Sequence, residues 1–201
     1  MITELPTFDE LSFDERSHIY RLNGNEIPSV TTLMQPLSEK VYGSIDKDTL
    51  SNAANKGTIV HNAIENFLDF GIEDIDSTNK GFFDAFFDWY HKYEPVIIGT
   101  ELCCYHKQLR YAGKTDLICQ IGGSTTIIDY KTTSVLNSML CGVQLEGYAR
   151  MWQSHGVKID DRAILHLRRD GKFTMHHYPQ NTECYSVLSS LITIRNYQNK
   201  F

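Results

Sequence analysis

Apolar and polar residues follow two different periods along this chain, and the changes between them mark out its elements. Ser17-His18-Ile19-Tyr20-Arg21-Leu22 alternates, turns at Asn23-Gly24 and resumes through Ile27 into Ser29-Val30-Thr31-Thr32, the pattern of a β-hairpin. A loop with Pro36 and Gly43 follows. From about residue 48 to 70 the apolar positions Leu50, Ala53, Val60, Ile64, Phe67 and Leu68 recur at helical spacing, and Gly71 closes that helix. A second helix is predicted from about 78 to 93. Its stripe of Phe82, Phe83, Phe86, Phe87, Tyr90 and Tyr93 reads as core packing and not as a base-stacking surface.

Pro95 ends that helix, and strand patterns take over at 96–105, 109–121 and 125–131, the last two joined at Gly122-Gly123-Ser124. A helix over about 137–155, a strand at 163–168, a turn at Asp170-Gly171, a strand at 173–178 and a helix over about 183–198 complete the order. Helices, three consecutive strands, a helix, a hairpin and a final helix predict a mixed α/β (α+β) domain around a central sheet. At 201 residues the chain supports one well-buried core. A single domain over 1–201 is expected, with the hairpin and loop in 1–45 and the core in 46–201.

Composition narrows the class. No apolar run is long enough for a membrane span, and the acidic start lacks a basic-then-apolar leader pattern, so a cytoplasmic location is expected, that of the host if the chain is phage-encoded. The five cysteines are odd in number and form no CxxC, which fits reduced, buried thiols and argues against an iron–sulfur cluster. A net charge of −6 disfavours a nucleic-acid partner until it is divided along the chain. Residues 1–104 carry 7 Lys and Arg against 18 Asp and Glu, a balance of −11; residues 105–201 carry 12 against 7, a balance of +5. Lys107, Arg110, Lys114, Lys131, Arg150, Arg168, Arg169 and Lys172 all lie in this basic half, and local patches, not total charge, govern phosphate contacts.

Candidate chemistry falls in the same half. Gly113-Lys114-Thr115-Asp116 and Asp129-Tyr130-Lys131 lie on neighbouring predicted strands. Strand alternation puts Asp116 with Ile118 on one face and Thr115 with Leu117 on the other, while Asp129 and Lys131 share a face. Burying either charge alone costs several kcal/mol, so each needs a partner, a metal or solvent. A strand-end ion pair satisfies that need, as does a metal site in which carboxylates hold a hard cation beside a lysine. Gly57, His61 and Glu65 share a helical face; Gly57 costs about 1 kcal/mol relative to Ala there, which suggests close approach by the sheet or by a substrate strand. His61 reads either as a hydrogen-bonded core residue or as a ligand. Gln144 and Tyr148, an i, i+4 pair, could grip a phosphate or hold the lysine, and Glu101 is a further strand acid.

In order, Gly57…His61, Glu101, Gly113…Asp116, Asp129-Tyr130-Lys131 and Gln144…Tyr148 resemble the PD-(D/E)xK nuclease superfamily, in its RecB-like and Cas4-like, phage-type exonuclease branch. The likeness spans about residues 57–148, and Ile27-Pro28-Ser29-Val30-Thr31-Thr32 is more loosely similar to the start of compact phage members. The cluster-binding cysteines of some relatives have no counterparts here. The resemblance implies a three-layer α/β/α core of the restriction-endonuclease type and a Mg²⁺ or Mn²⁺ site. His61, Asp116, Asp129 and the Tyr130 carbonyl would be its ligands, with Lys131 positioning and helping to deprotonate water. Gln144, Tyr148 and Glu101 would support the site or touch substrate. The implied activity is DNA exonuclease, with recombination or repair as the setting and a single-strand annealing or recombination protein as a possible partner. A restriction- or resolvase-type endonuclease and an inactive nucleic-acid-binding module are the alternatives.

Overall fold

Local sequence explains where most elements start and stop in the computed structural model, which describes residues 5–199; residues 1–4 and 200–201, the outermost part of the expected single domain, lie outside the described range. Three short strands come first: β1 (Leu11–Asp14), β2 (Ile19–Leu22) and β3 (Asn25–Ile27), an antiparallel sheet in the order β1-β2-β3. β1 is one strand more than the predicted hairpin. Two further expectations are corrected here. The β-branched run after Ser29 is not strand but α1 (Val30–Leu33), because the Ser29 hydroxyl accepts the Thr32 N–H at 2.9 Å and caps it. The predicted loop around Pro36 is α2 (Gln35–Tyr42), since proline is tolerated in a helix's first turn.

α3 (Lys47–Phe70) is capped by Asp46, whose carboxylate accepts the Thr49 N–H at 3.0 Å, and stops at Gly71, which takes a left-handed φ of +68°. α4 (Lys80–Tyr93) follows, and then β4 (Val96–Tyr105), β5 (Ala112–Ile121) and β6 (Ser124–Lys131). Gly122 and Gly123 make the β5–β6 turn with φ of +57° and +84°, conformations that glycine adopts freely. β5 begins later than expected, because residues 106–111 form a loop closed by the His106 N–H to the Tyr111 carbonyl, with Arg110 left-handed. α5 (Ser138–Ser154), β7 (Asp161–Leu167), β8 (Phe173–His177) and α6 (Thr182–Gln198) complete the chain.

The main sheet runs β4-β5-β6-β7-β8, with β6 and β7 parallel and every other pair antiparallel. α5 is the crossover between the parallel pair. Leu117, Cys119, Ile128 and Leu165 face α3 and α4, where Ile64, Phe83, Phe86 and Trp89 are fully buried; the aromatic stripe is core, as predicted. Ile118, Ile127 and Ile164 face Leu145, Ala149 and Trp152 of α5 and Leu188 of α6. The result is a three-layer α/β/α fold with a mixed central sheet. Burying each large side chain contributes ~1.5–3 kcal/mol, which holds the layers together. The N-terminal sheet docks on the end of this core through the Ala112 N–H to the Pro28 carbonyl and a Ser29–Ala112 bridge. No helix among the described residues is long and apolar enough to cross a membrane.

Candidate metal centre

The regular pairing of β5 with β6 reaches Leu117–Ile128 and goes no further. One step on, the Tyr130 N–H turns to the Asp116 carboxylate, donating to Oδ2 at 2.8 Å. Opposite Asp116, Glu101 of β4 takes a left-handed φ of +47°, a strained backbone for a residue with a Cβ. The pleat breaks at this level. Thr115 accepts from Trp152 Nε1 on the α5 side at 3.0 Å, whereas Leu117 faces α3 and α4. Asp116 approaches His61 of α3 instead of sharing the inward face of Ile118. The alternation expected for Thr115 and Asp116 is thus corrected, because a side chain has replaced one rung of the backbone ladder.

Into this break come residues from four elements. His61 Nδ1 lies 3.6 Å from Asp116 Oδ2 and 3.7 Å from Glu101 Oε1, and its Nε2 lies 3.2 Å from the Tyr130 carbonyl. One donor atom each from His61, Glu101 and Asp116 lies within 4.8 Å of the other two. Glu101 also receives the Lys114 ammonium at 2.6 Å. Behind them the buried Asp129 holds Lys131 Nζ at 2.5 Å. All of these groups except the buried Asp129 border a cavity of about 760 Å³ that is also lined by Gly57, Thr132, Tyr130 and Tyr148, and by Phe13 and Glu15 of the N-terminal sheet.

The charges are strongly coupled. Burial pushes the Asp116 carboxyl up, and the neighbouring Asp129 and Glu101 add to this, so its pKa rises to about 7 despite His61 and Lys131. Burial opposes the His61 imidazolium, yet Asp116, Glu101 and Asp129 outweigh it and raise its pKa to about 9. Burial would raise Glu101 too, but the His61 and Lys114 contacts hold it below the usual carboxylate value. Lys131 is desolvated, but Asp129 and Asp116 keep it a cation. Two carboxylates and an imidazole that repel or protonate one another at neutral pH form a donor set suited to a divalent cation. The oxygen donors suit Mg²⁺, and the imidazole tolerates Mn²⁺.

Structure unites most of the residues singled out in the sequence. His61, Glu101, Asp116, the Tyr130 carbonyl and Lys131 converge, with Asp129 beneath Lys131. Tyr148 lines the cavity and accepts a hydrogen bond from Gln144 Nε2 at 3.0 Å. Gly113 is needed because a Cβ there would sit 2.8 Å from Tyr148 Cε1. Gly57 is different: a Cβ would meet only Thr132 Oγ1, at 3.9 Å, so the sheet does not crowd it. The basic half-chain contributes less than its charge suggested. Lys114 and Lys131 line the cavity, but Arg150 pairs with the buried Glu146, and Arg168 and Lys172 pair with Asp170. Lys114, expected only as one of the basic-half charges, pairs with Glu101 at the site. Phe13 and Glu15 carry no signal in the sequence that places them here, since only docking of a separate sheet brings them to the cavity.

No protein-family profile matches the chain, and no curated protein matches its sequence. Solved structures do resemble it in outline. An alkaline exonuclease, LHK-Exo from Laribacter hongkongensis, matches at 7% identity and a TM-score of 0.44 over 69% of this chain and 78% of that one. LHK-Exo in complex with dAMP matches at 8% and 0.42, over 86% and 87%. SSO0001 matches at 11% and 0.37, over 81% and 84%. At such identities and scores, no activity or residue role transfers to this chain.

Proposed function

We propose that the chain is a Mg²⁺- or Mn²⁺-dependent deoxyribonuclease that acts as an exonuclease on DNA ends or single strands in phage-type recombination or repair. The observation that supports this most is the meeting of His61, Glu101 and Asp116 within 4.8 Å in one open cavity that Lys131, paired with the buried Asp129, also lines. His61, Asp116, Asp129 and the Tyr130 carbonyl are the assigned ligands, with Glu101 close enough to join them. A bound divalent cation would neutralise charge on the phosphate and lower the pKa of water. The water loses a proton to solvent as its oxygen bonds to phosphorus, the P–O bond to the departing nucleotide breaks, and the departing oxygen takes up a proton from solvent. Lys131 orients that water and offsets the negative charge that builds on the phosphate oxygens. Proton uptake by Lys131 requires its free-amine form, which Asp129 opposes in this structure. Tyr148, fixed by Gln144 and backed by Gly113, presents its ring to the cavity as a support for the substrate strand.

The test uses end-labelled single- and double-stranded DNA with Mg²⁺, Mn²⁺ or EDTA, beside Lys131→Ala. Metal-dependent stepwise shortening by the wild type, absent from the variant, is expected, with closed circles left intact. Equal inertness of both proteins under every metal would reject the nuclease reading. Cutting of closed circles would reject the exonuclease part alone.

A further inference from the structure

The N-terminal sheet is not part of the three-layer core, yet it supplies one wall of the cavity. Its residues there are Phe13, Glu15, His18 and Tyr20. Tyr20 is buried and stacks on Phe13 with ring centroids 4.3 Å apart and planes 24° apart. His18 meets the Phe13 ring edge-on at 5.1 Å. Its left-handed φ of +56° follows a turn in which Asp14 accepts the Arg16 and Ser17 N–H groups. Phe13 is thus held by Tyr20 on one face and by His18 at its edge, has Lys114 Nζ over its ring, and is half-exposed in the cavity wall. Contacts link it directly to the candidate metal centre: Lys114 Nζ lies 5.9 Å from the Phe13 centroid and 2.6 Å from Glu101, which in turn contacts His61.

We propose that Phe13, backed by Tyr20 and flanked by His18, is a stacking platform for an unpaired nucleobase of the strand being cleaved. This inference builds on the nuclease reading above and extends it to how the substrate is held. A rigid aromatic face accepts any base, because every base has a π-face, so the platform holds the strand without sequence preference. Lys114, whose ammonium lies over the Phe13 ring and on Glu101, gives way to the stacked base and turns its charge to the phosphate that follows it. The occupant is unpaired, because stacking of this kind requires a base already out of its duplex.

The test is fluorescence anisotropy with a labelled single-stranded oligothymidylate and its counterpart carrying abasic sites, with Ca²⁺ replacing the activating metal. Phe13→Ala is expected to weaken binding of the base-bearing strand about tenfold, the size of one lost base–aromatic stack, and to leave abasic binding unchanged. Phe13→Leu, which keeps the apolar packing on Tyr20, should lose most of the same discrimination, and Phe13→Trp should retain it with quenched emission. Thermal melts establish that each variant is folded. If base-bearing DNA binds equally well to wild type, Phe13→Leu and Phe13→Trp, the platform is refuted although the nuclease reading stands. If wild type binds neither oligonucleotide and cuts no DNA, both fall together.

Discussion

Replacing Gly57 by alanine should raise stability and lower activity, opposite signs that few substitutions combine. Gly57 lies within α3, where glycine costs ~0.8–1 kcal/mol relative to alanine. The added methyl would meet nothing nearer than Thr132 Oγ1 at 3.9 Å, an ordinary van der Waals contact, so no clash offsets the gain in helix propensity. For a domain of this size, ~1 kcal/mol corresponds to a rise of about 2–4 °C in Tm. The same methyl projects into the cavity that His61 also lines, where the proposed reaction would bring the substrate backbone. Displacing a reacting phosphate by ~1 Å can cost on the order of 100-fold, so kcat/KM should fall about tenfold or more. Gly113→Ala provides the contrast: its Cβ would lie 2.8 Å from Tyr148 Cε1 and 3.1 Å from Met151 Cε, and overpacking of this kind costs ~1–3 kcal/mol. Differential scanning calorimetry and initial rates on end-labelled DNA read both quantities. A lower Tm for Gly57→Ala would show that the space is not free, and a higher Tm with unchanged kcat/KM would show that no substrate runs over Gly57.

Further outcomes follow from particular contacts. Glu146 is buried and pairs with Arg162 and Arg150, so Glu146→Ala leaves a buried guanidinium unpaired and should destabilise by ~3–5 kcal/mol in urea unfolding; a loss below ~1 kcal/mol would mean that water or another group solvates Arg162. Mn²⁺ at about 100 times its Kd should stabilise the protein by ~2.7 kcal/mol in thermal melts, with no such shift for Asp116→Asn. With the Mn²⁺ concentration held fixed, that stabilisation should grow from pH 6 towards 9, because ligation needs His61 neutral and Asp116 ionised, and their pKa values stand at about 9 and about 7; a pH-independent shift would place the ion elsewhere. Burial, aided by the charges of His155 and Arg150, lowers the His106 pKa to about 4, and its Nδ1 accepts the Gln108 and Leu109 N–H groups. The unfolded chain therefore binds the extra proton first as pH falls below about 6.5, and stability should drop from there towards pH 4. A flatter profile for His106→Gln checks this; an unchanged one would refute it.

Element types in the core were legible from periodicity because the two apolar faces of the sheet and the aromatic face of α4 obey simple repeats. The glycine turn at Gly122-Gly123 and the stop at Gly71 were equally local, since both depend on backbone freedom at one residue. The misses at Ser29–Thr32 and Pro36 have different causes: Pro36 stands in the first turn of α2, where proline starts a helix as readily as it ends one, and the other miss is a matter of capping and packing. A single capping bond, together with Val30 packing against Gly147, outweighed the strand preference of a β-branched run. The candidate residues, too, could be named from their order along the chain.

Their geometry could not. Sequence determined that a histidine, several carboxylates and a lysine would lie near adjoining strands of a mixed sheet, because residue type and spacing carry that much. Which atoms meet was decided only in three dimensions, where the Tyr130 N–H leaves the ladder for Asp116 and Glu101 turns left-handed towards His61. Those choices depend on desolvation and on contacts across α3, β4, β5 and β6, distant in sequence and energetically coupled. The aromatic wall from β1 and β2 belongs to the same class: its rings become part of the cavity only when the small sheet docks beside Ala112.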